Sequence, residues 1–115
     1  MPFLKLTTNI TLDEQMTTQL MQEFSSSLAK ATGKPEQYVM VTVSGNNRML
    51  FGASAAPLAY LECKSIGLTA QQAKVISSAL SLIIIAKLGI LADRIYIEFS
   101  NSPAEFWGWN GGTFG

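Results

Sequence analysis

The sequence predicts an α+β fold: two pseudo-repeated β-α-β units that build a four-stranded sheet with two helices on one face. Three observations predict it. The chain aligns with itself at an offset of 56 positions without a gap. Within each copy, apolar spacing switches from strand-like alternation to a helical stripe and back. At 115 residues, 48% of them hydrophobic, the chain suits one domain, residues 1–115, able to bury roughly 65% of its unfolded surface.

The offset pairs Ile10 with Ile66, Leu12 with Leu68, Gln15 with Gln71, Ser25 with Ser81, Gly33 with Gly89 and Ser44 with Ser100. Apolar character follows the same register, with Leu20 matching Ile76, Phe24 Leu80, Leu28 Ile84, Val41 Ile97 and Val43 Phe99. Self-similarity of this kind marks two copies of one supersecondary unit, at about residues 2–45 and 58–101.

The elements follow in order. Pro2-Phe3-Leu4-Lys5-Leu6 is an apolar run whose first residue stands where a strand needs no ladder donor. Thr11-Leu12-Asp13-Glu14 reads as a capping box, and Leu12, Met16, Leu20, Phe24 and Leu28 form a stripe that Gly33 stops, so a helix is expected from about Leu12 to Ala31. A Gly33-Lys34-Pro35 turn then leads into a β-branched strand, Tyr38–Ser44. In the second copy Leu58–Ser65 is a strand, Thr69-Ala70-Gln71-Gln72 caps a helix that reaches Lys87, and Arg94–Phe99 closes the unit. This second cap falls two residues later than the first.

Right-handed crossovers between parallel strands put both helices on one side and leave the other side bare. Tyr38, Met40 and Thr42 share that bare side on one strand, and Arg94, Tyr96 and Glu98 on the other, which makes it a candidate subunit interface. The tail, Phe106 to Gly115, sets large aromatics among glycines and is expected to pack on something, with a neighbouring subunit as one candidate.

Composition removes several function classes. Eight basic residues balance eight acidic ones without a run, so neither nucleic acid nor an anionic membrane is an expected partner. Cys63 is the only cysteine and there is no histidine, which removes intrachain disulfides, Ser/His and Cys/His nucleophilic pairs and most zinc sites. The start shows no secretory pattern, and the Leu82–Ala86 apolar run, interrupted by Lys87 and Gly89, falls short of the ~20 residues that span a bilayer. The expectation is a soluble, cytoplasmic protein. One reactive group remains: removal of Met1 would leave Pro2 as a secondary amine, whereas with Met1 attached the same nitrogen is a tertiary amide with neither a usable lone pair nor a proton.

A Met-Pro start, Ala31-Thr32-Gly33-Lys34-Pro35 with Tyr38 after it, Ser65-Ile66-Gly67, Asp93-Arg94-Ile95-Tyr96-Ile97, and Gly108-Trp109-Asn110 with Thr113-Phe114 occur in one order along the chain. Together they resemble the macrophage migration inhibitory factor family of the tautomerase superfamily. The resemblance implies a homotrimer whose sheets surround a central channel, with active sites between adjacent subunits. It implies keto-enol tautomerisation of phenylpyruvate-type acids, and of dopachrome-like substrates, without cofactor or metal. It also implies the alternative of a cytokine-like trimer whose pocket is vestigial. A ferredoxin-like sensor domain, indifferent to its amino terminus, ranks last.

By the same resemblance Pro2 is the general base and Lys34 the cation that holds the substrate carboxylate and disfavours the Pro2 ammonium. Ile66 offers its backbone amide, Tyr96 is a phenol from the neighbouring subunit, and Tyr38, Trp109 and Phe114 form an aromatic rim. Two departures stand out. Glu98 replaces the asparagine of the best-known members, so a carboxylate would weaken acid binding unless it is protonated or paired with Arg94 or Lys64. Leu58-Ala59-Tyr60-Leu61 stands where animal members carry CxxC, so their proposed thiol chemistry does not transfer.

Overall fold

The computed structural model describes residues 2–115. The main elements are β1 (Phe3–Thr8), α1 (Glu14–Thr32), β2 (Met40–Ser44), β3 (Ala59–Ile66), α2 (Ala70–Leu88) and β4 (Ile95–Ser102), followed by a small hairpin of β5 (Gly108–Trp109) and β6 (Gly112–Thr113). The large sheet has the order β2-β1-β3-β4. Its outer pairs, β1 with β2 and β3 with β4, are parallel, and its central pair, β1 with β3, is antiparallel. Each parallel pair is bridged by one helix, as parallel strands require.

The internal duplication is visible element by element. Glu14–Thr32 recurs as Ala70–Leu88, and the one-turn 3₁₀ segment Glu36–Tyr38 recurs as Ala92–Arg94, each 56 residues on. The opening strands are offset by 57 instead: Phe3 pairs Met40 as Tyr60 pairs Tyr96, and Leu4 pairs Val41 as Leu61 pairs Ile97.

The helix caps correct one expectation. Asp13, not Thr11, is the N-cap of α1: its carboxylate accepts the Met16 N–H at 2.7 Å, while the Thr11 hydroxyl donates to Asn46 Oδ1 at 3.4 Å. The helix therefore begins at Glu14, and its cap lies 56 residues before Thr69, which forms the reciprocal capping box with Gln72. Leu12 stays outside the helix and packs so closely on Gly45 that a Cβ there would lie 2.9 Å from Leu12 Cγ. The closing strands also begin later than expected. Tyr38 and Arg94 donate their N–H groups back to the carbonyls of Pro35 and Leu91, at 3.1 and 2.9 Å, and so belong to 3₁₀ turns.

Side-chain alternation then separates the two sheet faces. In register across the strands, Val41, Leu4, Cys63 and Phe99 form one inward row and Val43, Leu6, Leu61 and Ile97 the next. They pack against Leu20, Phe24 and Leu28 of α1 and Ile76, Leu80 and Ile84 of α2. Each such buried side chain contributes about 1.5–3 kcal/mol. By length and composition alone α2 is apolar enough to cross a membrane, yet it lays its Ile76, Leu80 and Ile84 row on the sheet. Burial pushes the Cys63 thiol up to about 11, so at neutral pH it is a packing group. The opposite sheet face has no helical cover, and Met40 and Tyr96 on it are 66% and 64% exposed.

Candidate active site

Pro2 enters β1, an inner strand, so its surroundings are fixed from both sides. Its carbonyl accepts the Met40 N–H at 3.0 Å, and its side chain is fully buried. Beside it lies a cavity of about 330 Å³ lined by Pro2, Phe3, Gln37, Tyr38, Val39, Met40, Lys64 and the tail residues Trp107, Gly108, Trp109 and Phe114. The lining is mostly apolar with one ammonium, a composition that suits a small ligand with an apolar body and few polar contacts.

The tail forms one wall. Asn110 and Gly111, at φ 53° and 80°, turn the chain between β5 and β6, the conformation an Asn-Gly pair favours in tight hairpins. This brings Trp109 and Phe114 into a stack at 5.5 Å, with both rings edge-on to Tyr38 at 5.4 and 6.1 Å. Trp109 and Phe114 thus pack on Tyr38 of their own chain, while Phe106 stays exposed. The asparagine–glycine pair was the sequence signal for that closure.

Lys34 follows the left-handed cap Gly33, and its Nζ donates to the Ile66 carbonyl at 2.7 Å. Because Phe3 pairs Lys64, continuing the register sets Pro2 beside Ser65, with Ile66 one residue further. The structure therefore joins Lys34 and Ile66 to each other near the Pro2 end of the sheet. Lys34 is not among the residues that line the cavity.

Tyr96 and Glu98 lie elsewhere in the chain, on the far edge strand β4. Tyr96 packs 4.4 Å from Phe51 at a second hollow of about 430 Å³. Glu98 accepts the Tyr60 hydroxyl at 3.3 Å. Burial, then the Glu98 and Glu62 carboxylates, raise the Tyr60 phenol above its usual value. Among the described residues neither Arg94 nor Lys64 pairs with Glu98. Arg94 instead donates to the carbonyls of Phe51, Ser54 and Ala56 at 2.6, 3.0 and 2.8 Å, and so ties the loop before β3 to the start of β4. Lys64 belongs to a different row of the open face, opposite Phe3. Its place in the cavity was missed in the sequence: alternation assigns it to the open face, but only the antiparallel register brings it to Pro2.

Comparison with known proteins agrees with this geometry. The model of the macrophage migration inhibitory factor (MIF) family matches residues 1–115. The chain belongs to the MIF family. It is 36% identical over 115 residues to the MIF of Xenopus laevis, covering 99% of each chain, and 37% identical over 118 residues to a Brugia malayi MIF homologue, covering all of both. A MIF homologue from Prochlorococcus marinus superposes with a TM-score of 0.93 at 40% identity, covering 98% of this chain and 99% of the other. The Toxoplasma gondii MIF does so at 0.92 and 31%, covering 97% and 99%. The mixed four-stranded sheet with two helices is therefore the MIF fold.

Proposed function

We propose that this MIF-family chain is a cofactor-free keto-enol tautomerase for phenylpyruvate-type acids, with the Pro2 amine as its general base. The observation that carries the proposal is the burial of Pro2 against an apolar, aromatic cavity that also holds an ammonium. Met1 lies outside the described residues, and the chemistry requires its removal. A free α-amine titrates near ~7.7–8.0; apolar surroundings and a nearby cation both disfavour its ammonium form, leaving a neutral base near neutral pH. In the enol-to-keto direction, the neutral Pro2 amine takes the proton from the enol oxygen and delivers it to the adjacent carbon as the carbonyl forms, which regenerates the neutral amine.

The same proposal includes a homotrimer. It is supported by the uncovered sheet face and by Tyr96 and Glu98, which stand on the far edge strand from Pro2 and would reach a pocket only on a neighbouring copy. In that arrangement an ionised Glu98 repels an α-keto acid and favours the Pro2 ammonium. Glu98→Asn should accordingly raise phenylpyruvate turnover; an unchanged or lower rate sinks the assigned role of Glu98.

A second reading, a trimeric cytokine-like binding protein with weak catalysis, is favoured by the names of its relatives. The deciding experiment follows phenylpyruvate ketonisation by protein whose amino terminus is verified by mass. Turnover by the Pro2-terminated form and none by the Met1-retaining form supports the tautomerase; no turnover by either, with the trimer intact, supports the binding reading.

A further inference from the structure

We propose that Ser65 is a positioning residue for the Pro2 amine, its hydroxyl oxygen accepting the amine N–H and so aiming the nitrogen lone pair at the cavity. This rests on the tautomerase reading, in which Met1 is removed and Pro2 carries a free amine. Ser65 is completely buried, and among the described residues its Oγ is the buried side-chain oxygen with no hydrogen-bond partner. An orphaned hydroxyl of this kind is rare in a folded core. The strand register supplies it with a neighbour. Phe3 pairs Lys64 on the open side of the sheet, so the next rung sets Pro2 beside Ser65, both buried on the helix-covered side.

The internal duplication says where that hydroxyl is directed. Under the 57-residue offset of β1 and β3, Ser65 is the counterpart of Thr8, and Pro2 is the counterpart of Ala59, which Thr8 pairs. Thr8 is equally buried but satisfied: its hydroxyl donates to the Leu58 carbonyl at 2.6 Å and accepts the Ile10 N–H at 3.2 Å. The Leu58 carbonyl is the acyl group on the nitrogen of Ala59, so the same relation aims Ser65 at what is bonded to the nitrogen of Pro2. Once Met1 is gone, that is an amine proton. A hydroxyl oxygen can accept it from the neutral amine or from the ammonium, and the charged bond is the stronger. Held by its N–H, the neutral amine keeps its lone pair for the enol proton. The other titratable groups around Pro2 are Lys64 and Tyr38 in the cavity wall, Lys34 on the Ile66 carbonyl, and Cys63, the next inward residue of β3. Against the two cations, Ser65 is the group that favours the ammonium.

The test reads the amine directly. In Pro2-terminated protein carrying isotope-labelled proline, nitrogen NMR follows the titration of Pro2, because every other proline nitrogen is a tertiary amide. Removing an acceptor of the ammonium N–H disfavours the protonated form, so Ser65→Ala should lower the midpoint by about one pH unit, the shift that matches a lost hydrogen bond to a charged group. Ser65→Thr, which installs the residue of the counterpart position, should hold the midpoint near that of wild type. Thr8→Ala, which removes the equivalent hydroxyl at the other end of the ladder, should not move it. Ser65→Cys, similar in shape but a weaker acceptor, should lower it too and replaces the alanine variant if that one fails to fold. The proposal is overturned if Ser65→Ala leaves the midpoint in place or raises it, or if Ser65→Thr lowers it as far as Ser65→Ala does. In phenylpyruvate assays kcat of Ser65→Ala should fall with KM nearly unchanged, since the hydroxyl acts on the base and not on the substrate. The titration needs no substrate, which keeps the two readings apart. A Ser65-dependent midpoint without turnover by wild type upholds this proposal and ends the tautomerase reading, whereas turnover with a Ser65-independent midpoint does the reverse.

Discussion

The two parallel strand pairs build two corresponding hollows whose linings differ. Pro2, Phe3 and Met40 line the first; their ladder counterparts Ala59, Tyr60 and Tyr96 line the second. Each has an aromatic flap at the 56-residue offset, Trp107-Gly108 over the first and Phe51-Gly52 over the second. The contents differ. Lys64 faces the first from across the central pair, where the second has Thr7 opposite Tyr60. Tyr38 supports an aromatic stack at the first, whereas its counterpart Arg94 spends its guanidinium on loop carbonyls at the second. Most of all, Pro2 stands next to the chain's first residue and Ala59 does not. Duplication supplied two hollows with counterpart strand residues, and the proposed chemistry uses only the one beside Pro2.

The largest effect should therefore fall at Pro2. In the Pro2-terminated form proposed above, Pro2→Ala exchanges a secondary amine for a primary one lacking the ring, and kcat/KM for phenylpyruvate should fall by about 10²–10⁴-fold, the usual worth of a general base, with circular dichroism unchanged. Retained activity would make the two hollows chemically equal and remove the reason for the comparison. The second hollow should respond in stability. Arg94→Ala discards three carbonyl bonds of 3.0 Å or shorter and a ring contact with Phe51. A loss of about 1.5–3 kcal/mol in urea denaturation, with faster proteolysis between residues 45 and 58, is the expected result. Unchanged cleavage would show that the loop is held by something other than Arg94.

Much of this was legible beforehand, and what was not has physical causes. The helical stripes, the glycine stops and the alternation of β2 and β4 gave the α+β architecture, since each is a local pattern read against a fixed period. Sequence motifs also named Pro2, Tyr38, Trp109 and Phe114, which the fold gathers at one cavity. The α1 cap was misplaced because Thr11 and Asp13 are both good cap residues, and the choice between them depends on Asn46 from a distant loop. The 57-residue offset of β1 and β3 was hidden because a one-residue slip exchanges faces without changing composition. Lys64 was passed over for the same reason: antiparallel register is a long-range fact.

The two copies also differ in the core, at Cys63. It is the ladder counterpart of Leu6, equally buried, but titratable. Its folded pKa is raised from 9.0 to about 11, so stability from this residue is intact below the unfolded value and declines as pH rises from about 9 toward 11. Two units correspond to about 2–3 kcal/mol. Denaturation between pH 8 and 11 should show this decline in wild type and its loss in Cys63→Ala. A variant that keeps the wild-type slope would assign the decline to other groups.

The smallest expected difference lies between the two helix caps. Asp13→Ala and Thr69→Ala each remove one side-chain acceptor from an exposed N–H, at 2.7 and 3.1 Å, for about 1 kcal/mol apiece. Thr69→Ala should cost the less, because Gln72 still accepts the N–H of residue 69 and because no charge is lost. Asp13 also sets a carboxylate at the helix's positive end, worth about 0.3–1 kcal/mol at low salt. At 1 M salt, where screening acts within ~3 Å, that increment should vanish and the two costs converge, while Thr69→Ala hardly moves. A cost that stays larger for Asp13→Ala at high salt would make its advantage geometric, and a Thr11→Ala cost equal to that of Asp13→Ala would return the α1 cap to Thr11.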